Sequence, residues 1–232
     1  MDWRDVARRL FPDGHDIVAD GDLLSGAGRC GDATFAVVGS TNHAEAGVEI
    51  ALAMARLVLA TIRDHAGRPI LFLVDTSGQR LRHRDELLGI NRYMAHLAKC
   101  VEVARARGHR VVALVYDQAL SGGFLASGMM ADVCAALPDA EIRVMNLPAM
   151  ARVTRQPEER LRALAATSPV FAPGAINYVR MGAIDALWDG DLAAHLLAAL
   201  RDAAPDDVRR DAGLARGGRA LAAPIAARAA VE

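Results

Sequence analysis

Two glycine breaks in the sequence combine residue types that can do chemistry. The first is Asp75-Thr76-Ser77-Gly78, and the second is Asp117-Gln118-Ala119-Leu120-Ser121-Gly122-Gly123. Each follows an apolar run, ILFLVD at 70–75 and VVALVY at 111–116. The second break leads straight into a helical stretch. A glycine pair at a helix start leaves backbone N–H groups without intrahelical acceptors, beside the positive end of the dipole. Glycine also lets a ligand approach the backbone closely. Two such loops facing one pocket can each aim an N–H at a developing oxyanion, and so hold an enolate or a tetrahedral adduct. The same residues also suit ordinary strand ends and helix starts, so spacing alone leaves both readings open.

Ser121 has two readings as well. A nucleophile needs a base and an orienting acid in reach. His43, His65, His83, His96 and His109 are available, but no local motif links them to Ser121, and no G-x-S-x-G elbow is present. A helix N-cap role is the alternative. The charge cluster Arg82-His83-Arg84-Asp85-Glu86 reads as a solvated helix start, its acids favouring the helix N-terminus. Arg82 or Arg84 could instead contact a substrate carboxylate or phosphate. The segment from Pro169 to Tyr178, with Phe171 and Pro173, suits either a loop or a docking wall. Cys30, Cys100 and Cys134 are odd in number and far apart, with no C-x-x-C pair. Neither a disulfide framework nor a metal site is expected, and reduced thiols of a cytoplasmic protein are.

The elements that must position these residues follow from hydrophobic periodicity. Trp3, Val6 and Leu10 define a short amphipathic helix that stops at Phe11-Pro12-Asp13-Gly14. Residues 15–38 read as strands around a glycine turn, with helix-capping candidates at Ser40, Thr41 and Asn42. A helix is predicted over 45–66 from Val48, Leu52, Met54, Ala55, Leu59 and Ile62. Residues 70–75 and 111–116 are continuous apolar runs, as in strands buried on both faces. A polar loop at 79–86 and a helix at 87–107 lie between them. A helix of small residues over 124–131, short strands at 133–137 and 142–145, and helices at 148–166 and 175–200 complete the reading. Strands alternating with helices imply right-handed crossovers and a largely parallel sheet. The Ala/Arg/Gly-rich segment 201–232 has little periodicity and reads as flexible or as wrapping a partner.

Composition sets outer bounds. The chain has 232 residues, 53% of them hydrophobic, which excludes global disorder. With 27 basic and 28 acidic residues there is no basic excess to drive phosphate-backbone binding. Aromatic residues at 4% leave few platforms for stacking bases, so no nucleic-acid partner is expected. The opening MDWRDVARRLFPDGHD lacks an apolar core and carries acids early, unlike a signal or transit peptide. No uncharged apolar stretch reaches about 18 residues, so no membrane span is expected.

Taken in order, ILFLVDTSG, VALVYDQALSGGFLASGMMAD and SPVFAPGAINYVRMGAIDALWD resemble the carboxyltransferase branch of the crotonase superfamily. Within it the chain is similar to the gamma subunits of biotin-independent malonate decarboxylases, over about residues 15–200. The resemblance implies an α/β, crotonase-like (ClpP/crotonase) fold of repeated ββα units, with a mainly parallel sheet and C-terminal helices. One domain would span 1–200, ahead of the 201–232 tail. It implies a heterodimer with a beta subunit of the same fold, within a larger complex holding an acyl carrier protein and a transferase subunit. The implied reaction converts a malonyl-carrier thioester to an acetyl-carrier thioester and CO2. The substrate arm would be a phosphoribosyl-dephospho-CoA group on the carrier, with no cofactor held by this chain alone, no metal and no biotin. Gly78, Gly122 and Gly123 match the positions of the family's backbone oxyanion donors. Ser77, Gln79, Arg82, Ser121 and Asn177 would line the substrate site. Biotin-dependent relatives usually carry D-T-P-G, and Ser77 departs from that pattern, in keeping with loss of a biotin site. Two other readings stay open: a serine peptidase of the Clp or signal-peptide-peptidase kind with Ser121 as nucleophile, and a non-catalytic structural subunit.

Overall fold

The structure is a computed structural model that describes residues 1–145, 147–167, 174–201, 211, 214–215 and 222–230. Helix α1 (Trp3–Leu10) is capped by Asp2, whose carboxylate accepts from the Arg4 N–H, and it buries Trp3, Val6, Ala7 and Leu10 on one stripe. Three antiparallel strands follow, β1 (Val18–Asp20), β2 (Leu23–Cys30) and β3 (Ala33–Ser40). Cys30 opposite Ala33 leaves a two-residue hairpin loop, and Gly31 takes its φ of 55° without steric cost.

The parallel part of the sheet is built on β5 (Ile70–Gln79) and β6 (Val111–Leu120). Their facing runs, Ile70–Val74 and Val111–Val115, are buried, as the continuous apolar pattern predicts. The path runs β1-β2-β3-β5-β6, then β7 (Val133–Ala136) and β9 (Ala186–Leu187), within a nine-stranded sheet among the described residues. Helices α2 (Val48–Asp64) and α4 (Ile90–Ala106) pack against each other over the face onto which Thr76 points.

Both central strands run past Asp75 and Tyr116, at which the sequence reading ends them. The reason lies in two short strands. β4 (Ala44–Ala46) pairs with Thr76, Gly78 and Gln79, and β8 (Glu141–Arg143) pairs with Gln118, Ala119 and Leu120. Each supplies the hydrogen-bonding partners that the main sheet no longer offers. Recruitment of Ala44–Ala46 into β4 also delays the helix expected from residue 45, and α2 begins at Val48 behind Gly47. The region read as a loop at 79–86 contains a short helix, α3 (His83–Leu87), and the small-residue helix α5 (Ser121–Ser127) starts at Ser121 itself.

The expected C-terminal helices are α6 (Leu147–Thr154), α7 (Glu158–Thr167), α8 (Ala175–Arg180) and α9 (Leu192–Arg201). Within the 201–232 tail, α10 (Ala222–Ala229) is helical, and the segment's expected flexibility or partner wrapping falls mostly outside the described residues. Among the described residues no helix is long and apolar enough to cross a membrane.

Candidate active site

The fold brings the two glycine breaks into contact. Gly78 sits near the end of β5 with a φ of 99°, and a methyl group there would lie 3.1 Å from the Leu120 carbonyl oxygen and 3.1 Å from Ser121 Cβ. At Gly123 a methyl would lie 2.9 Å from Thr76 Oγ1 and 3.0 Å from Ala46 Cβ. At Gly122 it would lie 3.1 Å from Gln79 Oε1. The start of α5 is therefore packed tightly against side chains of β4 and β5 at Gly123, and Gly78 against the Leu120 backbone, distances that favour glycine. The N–H groups of Ser121, Gly122 and Gly123 belong to the first turn of α5 and have no intrahelical acceptor. The Gly78 N–H differs: it donates to Thr76 Oγ1 at 3.0 Å, and that hydroxyl donates to the Ala44 carbonyl at 2.7 Å. Of the three expected oxyanion donors, Gly78 is the one already engaged within the chain. Beneath Gly123 lies a cavity of about 10 Å³ walled by Thr76, Ser127, Met54, Met94 and Leu97, room for one water at most.

The other expected residues fall around this junction. Ser77 is exposed, and Gln79 is half-buried with Nε2 3.5 Å from Glu86 Oε1. Arg82 is exposed, 3.8 Å from Glu45 Oε2, and so can reach an outside anion. Arg84 is held by Glu49, whose carboxyl this bond keeps below its ordinary range. Asp85 does not serve its own helix start. It is buried, and its Oδ1 accepts the Val48 N–H at 3.0 Å, capping α2 instead. Asp85 reaches that N–H because α3 folds back over the start of α2, where Arg84 also meets Glu49.

Ser121 has a φ of 46°, and its hydroxyl donates to the Val144 carbonyl at 2.6 Å. That bond occupies the proton a catalytic base would need to take. Lys99 stands exposed on α4. Asn177 lies on α8, half-buried, next to the buried Tyr178, whose phenol burial pushes upward. Tyr178 also bonds the Val144 backbone, which links α8 to Ser121. Phe171 and Pro173, the core of the docking wall read from the sequence, lie outside the described residues.

Sequence reasoning missed a second constellation. His43, in the turn between β3 and β4, places Nε2 3.7 Å from Asp75 Oδ1 and 3.5 Å from Asp117 Oδ2. Both Asn42 and His43 adopt left-handed φ angles, 57° and 51°. Asp75 is buried, and Oδ2 accepts the His43 backbone N–H at 2.8 Å. Burial pushes the Asp75 carboxyl above its usual range, and the Asp117 charge adds to this, against the His43 bond and charge. Beside it the Tyr116 hydroxyl donates to the Ser40 carbonyl at 2.9 Å, and burial raises that phenol too. The signal that could have exposed the pair was a shared one: an aspartate closes the first buried apolar run and directly follows the second.

Comparison with known proteins places this geometry. The family described as malonate decarboxylase gamma subunit matches residues 41–232. A Malonomonas rubra protein named malonyl-S-ACP:biotin-protein carboxyltransferase MADD is 34% identical over 149 residues, 62% of this chain and 51% of that protein. The chain thus spans about half the length of this curated relative. A solved Pseudomonas malonate decarboxylase hetero-tetramer in complex with coenzyme A matches with a TM-score of 0.79 at 24% identity, covering 98% of both chains. A Pseudomonas MdcD-MdcE hetero-dimer matches with a TM-score of 0.73 at 25% identity, covering 94% of this chain and 98% of that one. The transcarboxylase 12S core matches with a TM-score of 0.72 at 22% identity, over 87% of this chain and 41% of its own. These likenesses establish the crotonase-like α/β fold expected from the sequence.

Proposed function

The chain belongs to the malonate decarboxylase gamma subunit family, and from that premise we propose that it acts with a beta subunit of the same fold to decarboxylate a malonyl thioester. The observation that carries this reading is the junction of the β5 end with the start of α5, where Gly122 and Gly123 keep first-turn N–H groups beside a close-packed Thr76. Cleavage of the bond between the carboxylate and the α-carbon releases CO2 and leaves the electron pair on an enolate. The thioester oxygen takes up that charge, and two aligned N–H groups in a water-poor site stabilise it. A proton delivered to the α-carbon completes the acetyl thioester. Ser121 does not supply that proton in this reading, since its hydroxyl is bound to the Val144 carbonyl.

A shared site needs a docking face. Leu125 on α5, Leu87 on α3, Val144 after β8 and Ile176 on α8 are all exposed, the first on the helix of the junction and Val144 bonded to its Ser121. Large exposed side chains of this kind suit burial against a partner subunit. Arg82, exposed three residues beyond the end of β5, suits a phosphate of a CoA-like arm, here the phosphoribosyl-dephospho-CoA of an acyl carrier protein. A transferase subunit to charge the carrier, no biotin, and a cytoplasmic location complete the reading.

A second reading is carried by the 34% identity to the Malonomonas rubra carboxyltransferase. There the same enolate step would pass the carboxyl group to a biotin protein rather than release it. One experiment separates them: CO2 release from a malonyl thioester by this chain, by the beta subunit, and by their mixture, with and without added biotin as carboxyl acceptor. The proposal expects release from the mixture alone, unaffected by biotin. Turnover that requires biotin and yields carboxybiotin moves the assignment to carboxyl transfer. Full activity of either chain alone overturns the shared site.

A further inference from the structure

We propose that His43, Asp75 and Asp117 form a binding site for a divalent transition-metal ion, with Zn²⁺ the best match. Three ligand atoms, one nitrogen and two carboxylate oxygens, lie within 4.8 Å of one another. The observation that lifts this above a chance acidic cluster is Asp75. Its side chain is only 4% exposed, the Gln118 and His43 backbones both bear on the carboxylate, and its Oδ1, with no partner at hydrogen-bond distance, faces the His43 ring at 3.7 Å. A buried carboxylate oxygen left unpaired costs stability unless a cation compensates it. Its other oxygen is tied to the His43 N–H at 2.8 Å, which holds the carboxylate with Oδ1 turned into the cluster. An anchored carboxylate of this kind is what outer hydrogen bonds provide at metal centres.

Distances decide the class of ion. Tetrahedral zinc with bonds of about 2.0–2.1 Å separates its ligand atoms by roughly 3.3–3.4 Å. The two separations from His43 Nε2, 3.7 and 3.5 Å, need a contraction of a few tenths of an ångström, and the two carboxylates, within 4.8 Å, must close by at most about 1.5 Å. Octahedral magnesium would require neighbouring ligands about 2.9 Å apart and favours oxygen and water. Calcium would accept the spacing but selects oxygen ligands, and here one of three is an imidazole. Two carboxylates and a neutral imidazole supply two negative charges, which one divalent ion cancels. An ion there would take the place of the terminal ammonium of Met1, which now pairs Asp117 Oδ2 at 2.9 Å.

The site is reachable. Asp117 also walls a cleft of about 610 Å³, together with Tyr116, Pro138, Asp139, Trp188 and Arg9. An ion on these three ligands would keep an open coordination position for water or an anionic small molecule. The proposal stands apart from the decarboxylase reading, because Asp75 and Thr76 are successive strand residues that point to opposite faces of the sheet.

The test is calorimetric titration of Zn²⁺ into the chelator-stripped full chain, repeated with Mg²⁺, and with the variants His43→Ala and Asp117→Asn. Both variants alter side chains that reach solvent, so the metal-free melting temperature checks that each is folded. One equivalent of Zn²⁺ is expected, with a raised melting temperature, and each variant should weaken binding at least about 10-fold. Absence of saturable Zn²⁺ binding overturns the proposal, as does binding unchanged in both variants. Cobalt substitution gives a second reading: tetrahedral visible bands lost in His43→Ala support the site, whereas a thiolate charge-transfer band places the ion on cysteine and refutes it.

Discussion

Replacing Gly123 with alanine tests the junction on which the functional reading rests. The new methyl would meet Thr76 Oγ1 at 2.9 Å and Ala46 Cβ at 3.0 Å. Comfortable carbon contacts lie near 3.5–4.0 Å, so about 0.5–1 Å of displacement is required. Neither neighbour gives easily. Thr76 Oγ1 is fixed by its bonds to the Ala44 carbonyl and the Gly78 N–H, and Ala46 belongs to β4. Overpacking of this kind costs about 1–3 kcal/mol, partly offset by the roughly 1 kcal/mol that alanine gains over glycine in a helix. A net loss of about 0–2 kcal/mol lowers the melting temperature by up to roughly 8 °C in a chain of this size. Turnover should fall further than stability, by about 10²–10³-fold, because the displaced N–H groups no longer meet the enolate oxygen. Gly122→Ala is the internal control. Its methyl meets only the flexible end of Gln79, at 3.1 Å, and its stability should stay within about 0.5 kcal/mol of wild type. Thermal melts and CO2 release, measured on both variants assembled with the beta subunit, decide the matter. Wild-type melting and turnover in Gly123→Ala would refute the close-packing argument, and so would a Gly122→Ala variant that melts lower than Gly123→Ala.

Other consequences are more local. Asp85→Ala removes the acceptor of the Val48 N–H at a buried position and should cost about 1–3 kcal/mol in chemical denaturation, against near neutrality if α3 were the loop read from the sequence. An active-site serine probe should leave Ser121 unlabelled, and Ser121→Ala should lose only about 0.5–1.5 kcal/mol with its bond to Val144; stoichiometric labelling would restore the peptidase reading. Cys30, Cys100 and Cys134 are buried free thiols, and burial raises each above its ordinary range. A raised thiol stays protonated, hence unreactive, at mildly alkaline pH. A disulfide-exchange reagent at pH 8 should therefore titrate no thiol in the native chain and three after denaturation.

Much of this protein is written in its local sequence, and the limits of that legibility are physical. The runs Ile70–Val74 and Val111–Val115 announce buried parallel strands, because only burial on both faces tolerates uninterrupted apolar residues. The two glycine breaks were equally legible as sites of close backbone approach. Their contact with each other was not, since it depends on how β5 and β6 lie side by side. The extension of both strands past Asp75 and Tyr116 was hidden for a related reason: strand character there is conferred by β4 and β8, not by the residues themselves. Asp85 carries the composition of a helix start, and only the fold turns it onto the Val48 N–H of another helix. His43, Asp75 and Asp117 are separated by 32 and 42 positions in the chain. Periodicity encodes which face of an element is buried, but it carries no record of which strand ends meet. The elements could therefore be read from the sequence, while the junction at Gly123 and the cluster at Asp75 were decided by tertiary packing.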